Sequence, residues 1–152
     1  MKRALRKMMA AGNNAAAWVY RRTKGRIGGS AKGLPVLLLT VPGRRTGKPH
    51  TVPVAFFEHG EGYLVAASAG GGKANPQWIQ NLAEAGKAQI TVYEDQYDVD
   101  ARIADRVERD ELWREVVVAR APFFANYEEK SGRTIPLALL TTHSSPDRQE
   151  EK

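Results

Sequence analysis

The sequence contains no cysteine. That excludes disulfides, thiol nucleophiles and thiolate-bound metals, and it suits an intracellular protein. No Asp or Glu occurs before Glu58. Residues 1–57 carry 12 Lys and Arg, a charge of +12, whereas residues 58–152 carry 11 bases and 17 acids, a charge of −6. An acid-free N-terminal third points to an anionic partner: nucleic acid, a membrane surface or a phosphorylated small molecule. No apolar run approaches the roughly 20 residues that a membrane span needs. The basic N-terminus lacks an uninterrupted apolar segment and a cleavage site, so no secretory signal is read.

Several chemistries are also missing. His50, His59 and His143 are the three histidines, and none has a second histidine four residues on. No metal site is therefore expected. There is no Gly-x-Ser-x-Gly elbow and no Walker loop. Gly70-Gly71-Gly72 lacks the spacing of the dinucleotide fingerprint and the acid that follows it.

What is present fits one domain over residues 1–152, with 42% hydrophobic and 26% charged residues. Residues 1–22 read as a basic amphipathic helix, with Gly12-Asn13-Asn14 as a candidate break. Its apolar face holds Leu5, Met8, Met9, Ala15, Trp18 and Val19. Such a helix either packs its Trp18 face on the domain or lies on an anionic membrane. Residues 23–33 read as a loop. The run Val36 to Val41 has strand length and is apolar throughout, which predicts burial on both faces.

Thr51 to Phe57 is the next strand, with Pro53 marking a bulge or an edge. His59 to Gly62 signals a hairpin, followed by a strand over Tyr63 to Ser68. Asn75 is the expected N-cap of a helix, Pro76 its first residue and Gly86 its terminator. Trp78, Ile79 and Leu82 form its apolar face. Gln89–Tyr93 and Tyr97–Ile103 alternate as a second hairpin around Glu94-Asp95-Gln96. Asp105 to Glu108 resembles a capping box before a further helix, which Pro122 ends. Phe123 to Lys130 forms more helical turns. Ile135 to Thr142 is the last strand, and residues 143–152 read as a disordered tail. Six strands, mostly in hairpin pairs, predict an α+β fold: an antiparallel six-stranded barrel with flanking helices.

Two loops carry the chemistry. In Gly43-Arg44-Arg45-Thr46-Gly47-Lys48, forked guanidinium donors and close-approaching backbone can surround a phosphate, or the loop is a solvated turn. In Ser68-Ala69-Gly70-Gly71-Gly72-Lys73, glycines admit a flat ligand to the backbone and lead into a helix N-terminus. Trp78 either walls that ligand or packs in the core.

The residues Trp18 to Arg22, Gly28-Gly29, Leu39-Thr40, Gly43 to Pro49, Ala66 to Ser68, Gly70-Gly71, Asn75-Pro76, Trp78, Asn81-Leu82 and Arg133 to Pro136 together resemble the deazaflavin-dependent nitroreductase family of actinobacteria. The resemblance covers roughly residues 15–142. It implies the split β-barrel of the flavin-binding oxidases and reduced coenzyme F420 as hydride donor to quinones or similar electrophilic acceptors. It implies that Arg44, Arg45, Thr46, Gly47, Lys48 and His50 hold the cofactor's phosphate and polyglutamate tail, with Pro53 nearby. Ser68, Ala69, Gly70, Gly71 and Lys73 would border the deazaflavin, beside Asn75, Pro76 and Trp78. Trp18, Ala121, Phe124 and Tyr127 would shape the acceptor pocket, and Tyr127 or water would supply the proton.

His50 and Ala69 stand where well-known members have basic residues. Phe124 and Ala121 stand where those members have tyrosines, which makes this segment more apolar. The resemblance also implies a cytoplasmic enzyme, peripheral at the inner face of the membrane through residues 1–22, and allows a homodimer. The alternatives are an FMN- or haem-binding split-barrel protein and a non-enzymatic binder of anionic surfaces. Nucleic acid is not the expected partner, because the cations are not interleaved with exposed aromatics.

Overall fold

A computed structural model describes residues 2–143. The order is α1 (Lys2–Arg22), β1 (Ser30–Ala31), β2 (Leu34–Pro42), β3 (Pro49–His59), β4 (Gly62–Ala66), a 3₁₀ turn (Ala69–Gly71) and α2 (Gln77–Ala85). Then follow β5 (Lys87–Val92), β6 (Asp95–Ile103), α3 (Arg106–Leu112), a π-helical turn (Trp113–Val117), α4 (Val118–Arg120), α5 (Phe124–Ser131) and β7 (Leu137–Thr142). The strands run β2-β3-β4-β7-β6-β5, every pair antiparallel, and β5 returns to β2. This is a closed barrel of six strands, as expected, with β1 as an extra strand on β2. Closure leaves few unpaired edges.

The apolar runs are explained by burial on both strand faces. Leu37, Leu39 and Val41 of β2 face the barrel interior with Phe56, Val65, Ile90, Val99 and Leu140. Ile79 and Leu82 of α2 join the same cluster, so α2 plugs one end of the barrel. Val36 and Leu38 point the other way, under Ala17 and Tyr20 of α1. Leu64, Leu137 and Leu139 point outward beneath Leu112, Trp113, Val116, Val117 and Phe124. Three helical covers thus dress one barrel. The seam between β2 and β5 is short: three residue pairs, against seven between β2 and β3.

Several expectations need correction. α1 runs unbroken through Gly12-Asn13-Asn14. It docks by Ala17 and Tyr20, not by the Trp18 face: Tyr20 is 1% exposed and Trp18 62%. Tyr20 Oη donates to Val36 O at 2.9 Å and accepts from Tyr93 N at 2.7 Å. A phenol that satisfies two backbone groups outweighs a larger ring that satisfies none. The side chains of Leu5 and Met9 lie outside the described residues, as do residues 144–152 of the tail.

Pro53 makes no bulge, since the β2–β3 register is uninterrupted from Val36↔Ala55 to Pro42↔Pro49. β4 pairs only with residues from Phe56 onward, so Pro53 lies where β3 has a free flank. Asn75 is not the N-cap of α2. Pro76 holds that place in an extended conformation and no side chain caps it. Asp105 does cap α3, accepting from Glu108 N at 2.9 Å. The second hairpin turns at Tyr93-Glu94, because Val92 pairs with Asp95.

Candidate active site

The basic loop folds back on itself. Gly47 N donates to Gly43 O and Gly43 N to Lys48 O, both at 2.8 Å. Arg44 leaves this turn for α2. Its backbone N–H donates to Asn81 Oδ1 at 3.1 Å, Nη1 to the same oxygen at 2.7 Å, and Nη2 to Gln77 Oε1 at 2.9 Å. This accounts for Asn81, a buried polar side chain on an otherwise apolar face. Arg45, Thr46, Gly47, Lys48 and His50 remain exposed, and His50 borders Gly43. None of Arg44, Arg45, Lys48 and Lys73 enters an ion pair among the described residues; the ion-paired bases there lie at Arg102 and beyond. Among the described residues, these cations of the two loops therefore stay without ion pairs after folding.

The glycine loop is held from a distance. Arg133 Nε donates to Gly72 O at 2.9 Å and Nη1 to Asn75 Oδ1 at 2.5 Å. Nη2 donates to Ala67 O at 3.1 Å and Ser68 O at 3.0 Å. Burial lowers the Arg133 pKa, but four acceptors hold its charge in place. Asn75 thus serves Arg133 instead of the helix start. The resemblance contained Arg133, yet no sequence pattern marked its role, because its partners lie some 60 residues away. Gly71 is left-handed at φ 88°, and a Cβ there would come within 3.2 Å of Tyr127 and Lys130 on α5. Only glycine lets this loop lie against that helix.

The loop and α5 meet in a pocket of about 190 Å³ lined by Ser68, Ala31, Lys32, Leu34, Ala55, Phe123, Phe124 and Tyr127. Phe124 is buried and packs against Phe57, Trp113 and Phe123; Tyr127 meets Phe123 and Phe124 edge-on. Two other residues expected at the acceptor pocket do not line it. Ala121 is buried in the core beneath α3–α5. Trp18 is on the solvent side of α1, with the Arg22 guanidinium 5.6 Å from its ring centroid. Trp78 packs partly buried against the barrel core, and Pro53 lies on β3 opposite Leu38. Lys32 is on the pocket wall and was absent from the sequence-based candidates.

Comparison with known proteins gives this arrangement a family. The model of the F420H2-dependent quinone reductase family matches residues 13–142. An F420H2-dependent quinone reductase of Mycobacterium tuberculosis is 34% identical over 126 residues, covering 81% of this chain and 85% of the relative. A second, putative by its own description, from the same organism is 34% identical over 112 residues, covering 74% of this chain and 93% of the relative. Among solved structures, the F420-H2 dependent reductase FDR-A matches with a TM-score of 0.62 at 29% identity, covering 70% of this chain and 93% of that one. A structure described as a domain-swapped dimer matches with the same TM-score at 27% identity, covering 83% and 98%. The chain belongs to the F420H2-dependent quinone reductase family, a family of oxidoreductases built on the split barrel.

Proposed function

We propose that this protein reduces a quinone-type acceptor held between the β1–β2 turn and α5, with F420H2 bound beside Ser68 to Gly71. One observation carries the reading. Ser68, from the loop assigned to the cofactor, and Phe124 and Tyr127, from the segment assigned to the acceptor, line a single pocket.

The donor set suits a cofactor with a phosphate and a multiply anionic tail. Arg45, Lys48 and Lys73 are exposed cations without an acidic partner among the described residues. They offer charge-assisted hydrogen bonds to that tail. Arg44 braces the loop against α2, and the uncapped start of α2 leaves backbone N–H groups beside it. The bound cofactor supplies a hydride, and the protein orients and shields the reaction. Phe123 and Phe124 wall the acceptor ring. The Tyr127 hydroxyl gives a proton to the acceptor oxygen: its O–H bond breaks as the new one forms, and water then reprotonates the tyrosine. Hydride plus proton together convert a quinone to its hydroquinone.

The test is a fluorescence titration of the purified protein with F420. Saturable binding in the micromolar range is expected, weakened and made less salt-dependent by the double change Arg45→Gln, Lys48→Gln. Binding that never saturates would overturn the reading.

A peripheral membrane contact, within a cytoplasmic location, is proposed on α1. No helix among the described residues is long and apolar enough to cross a membrane. Met8, Ala11, Ala15 and Trp18 form an exposed stripe at helical spacing, continued by exposed Ile27 and flanked by Arg21, Arg22, Lys24 and Arg26. Aromatic and aliphatic side chains framed by cations suit an anionic lipid surface. Flotation with anionic liposomes, lost on Trp18→Ser with Ile27→Ser, tests it. A homodimer is proposed from the likeness to the domain-swapped structure, and sedimentation tests that.

A further inference from the structure

One cation reaches across the acceptor pocket. Ala31 pairs with Leu34, so Lys32 and Gly33 alone make the β1–β2 turn. Both are left-handed, at φ 51° and φ 81°. That is the backbone of a tight two-residue hairpin turn, in which the first position favours Asn, Asp or Gly. A lysine there is held against its local preference, and the turn delivers its side chain to α5. Nζ donates to Tyr127 Oη at 2.5 Å. It lies 4.8 Å from the Tyr127 ring centroid and 5.2 Å from that of Phe123.

No acidic side chain among the described residues neutralises the charge. Lys32 takes part in no ion pair among the described residues. Its neighbours are a hydroxyl and two ring faces. The remaining pocket wall is Ala31, Leu34, Ala55 and Phe124, with Ser68 as the other small polar group. An ammonium has three N–H donors, and one is taken by Tyr127. Two remain for a guest. A single positive charge among apolar and aromatic walls is complementary to a flat ring bearing an oxygen with negative charge. Its attraction is stronger beside those walls than in open water.

We propose that Lys32 and Tyr127 form an oxyanion-binding pair that selects anionic ring ligands, including hydroxyquinones ionised at neutral pH. The proposal rests on the pocket being the acceptor site. Lys32 touches the acceptor oxygen from the hairpin side while Tyr127 touches it from α5. Lys32→Met keeps the length and apolar stem of the side chain and removes the charge. Lys32→Arg keeps the charge.

The first test needs no cofactor. The full chain is titrated calorimetrically with 2-naphthoate and with its uncharged isostere 2-naphthamide. Naphthoate is expected to bind about fivefold more tightly, the upper range for a partly solvated charge pair. Lys32→Met abolishes the preference and Lys32→Arg retains it. Equal affinities in the native protein, or a preference that survives Lys32→Met, overturn the proposal.

The second test uses F420H2 with ionised 2-hydroxy-1,4-naphthoquinone and neutral 2-methyl-1,4-naphthoquinone. Lys32→Met should raise KM about fivefold for the former and less than about twofold for the latter. If the native protein reduces neither quinone, the acceptor-site reading fails, while the naphthoate titration still decides the role of Lys32. If both are reduced and Lys32→Met alters both alike or neither, the oxyanion pair fails alone.

Discussion

Arg133→Met is the substitution that most directly separates the barrel from the loop it serves. The native guanidinium donates four hydrogen bonds, to the carbonyls of Ala67, Ser68 and Gly72 and to the Asn75 side chain. Methionine fills much of the same space and makes none of them. At about 1 kcal/mol net for each bond, the four sum to about 4 kcal/mol. In a domain of this size 1 kcal/mol moves Tm by about 2–4 °C, so full transmission to the barrel would lower Tm by about 8–16 °C. The barrel ladders do not run through this loop, however, so the loop can open by itself and cap the global loss. We expect a fall in Tm of no more than about 8 °C. F420 affinity should fall tenfold or more, equivalent to about 1.4 kcal/mol or more of the lost ordering. Hydrogen exchange should accelerate selectively at Gly71 and Gly72, whose amides are bonded to Ser68 O and Ala69 O in the native loop. Arg133→Lys should fall between, because one ammonium cannot span acceptors that a planar fork reaches together. A variant Arg133→Met with native F420 affinity and native exchange at those amides would refute the reasoning.

Three further outcomes are expected at other contacts of the fold. Gly71→Ala forces a side chain into left-handed backbone and against Tyr127 and Lys130; at about 1–2 kcal/mol of strain it should shift α5 and raise the acceptor KM, measured by steady-state kinetics. Tyr20→Phe removes the bridge between Val36 O and Tyr93 N and leaves that N–H without its partner, so a stability loss of about 1–3 kcal/mol is expected in denaturant unfolding. Burial, followed by the neighbouring Tyr97 and Glu58, pushes the Tyr63 hydroxyl up to about 12. A phenol held neutral in the fold contributes stability that is complete below the unfolded value of 10.0 and declines as pH rises from there towards 12, so alkaline unfolding should begin in that window and Tyr63→Phe should delay it.

The barrel was legible where burial is two-sided. Val36 to Val41 and Ile135 to Thr142 read as strands because inner and outer faces both meet apolar cover. The β1 strand was not, since Ser30 and Ala31 sit among residues typical of a loop and pair only through the Lys32-Gly33 turn. On α1, the Trp18 side reads as the apolar face, and periodicity alone cannot say which face docks. The choice falls to the Tyr20 hydroxyl, whose two backbone partners lie 16 and 73 residues away, on β2 and in the turn that follows β5. The basic and glycine-rich loops were readable as local compositions. Their braces, Arg44 on Asn81 and Arg133 on the glycine loop, were not, because a fork of hydrogen bonds to distant carbonyls leaves no local pattern. Lys32 escaped for the same reason: its significance lies in reaching Tyr127, 95 residues away.

The short β2–β5 seam has a mechanical consequence. Tyr20 bonds to Val36 on one side of it and to Tyr93, just past the end of β5, on the other. The helix is therefore a clasp over the barrel's shortest join, and the clasp carries its grip and its handle two residues apart, at Tyr20 and Trp18. A force that draws Trp18 outward loads the Tyr20 bonds and, through them, the three strand pairs beneath. Release of α1 would leave those three pairs to keep the barrel shut, so traction at the surface of this helix becomes strain along a strand that runs to the basic loop.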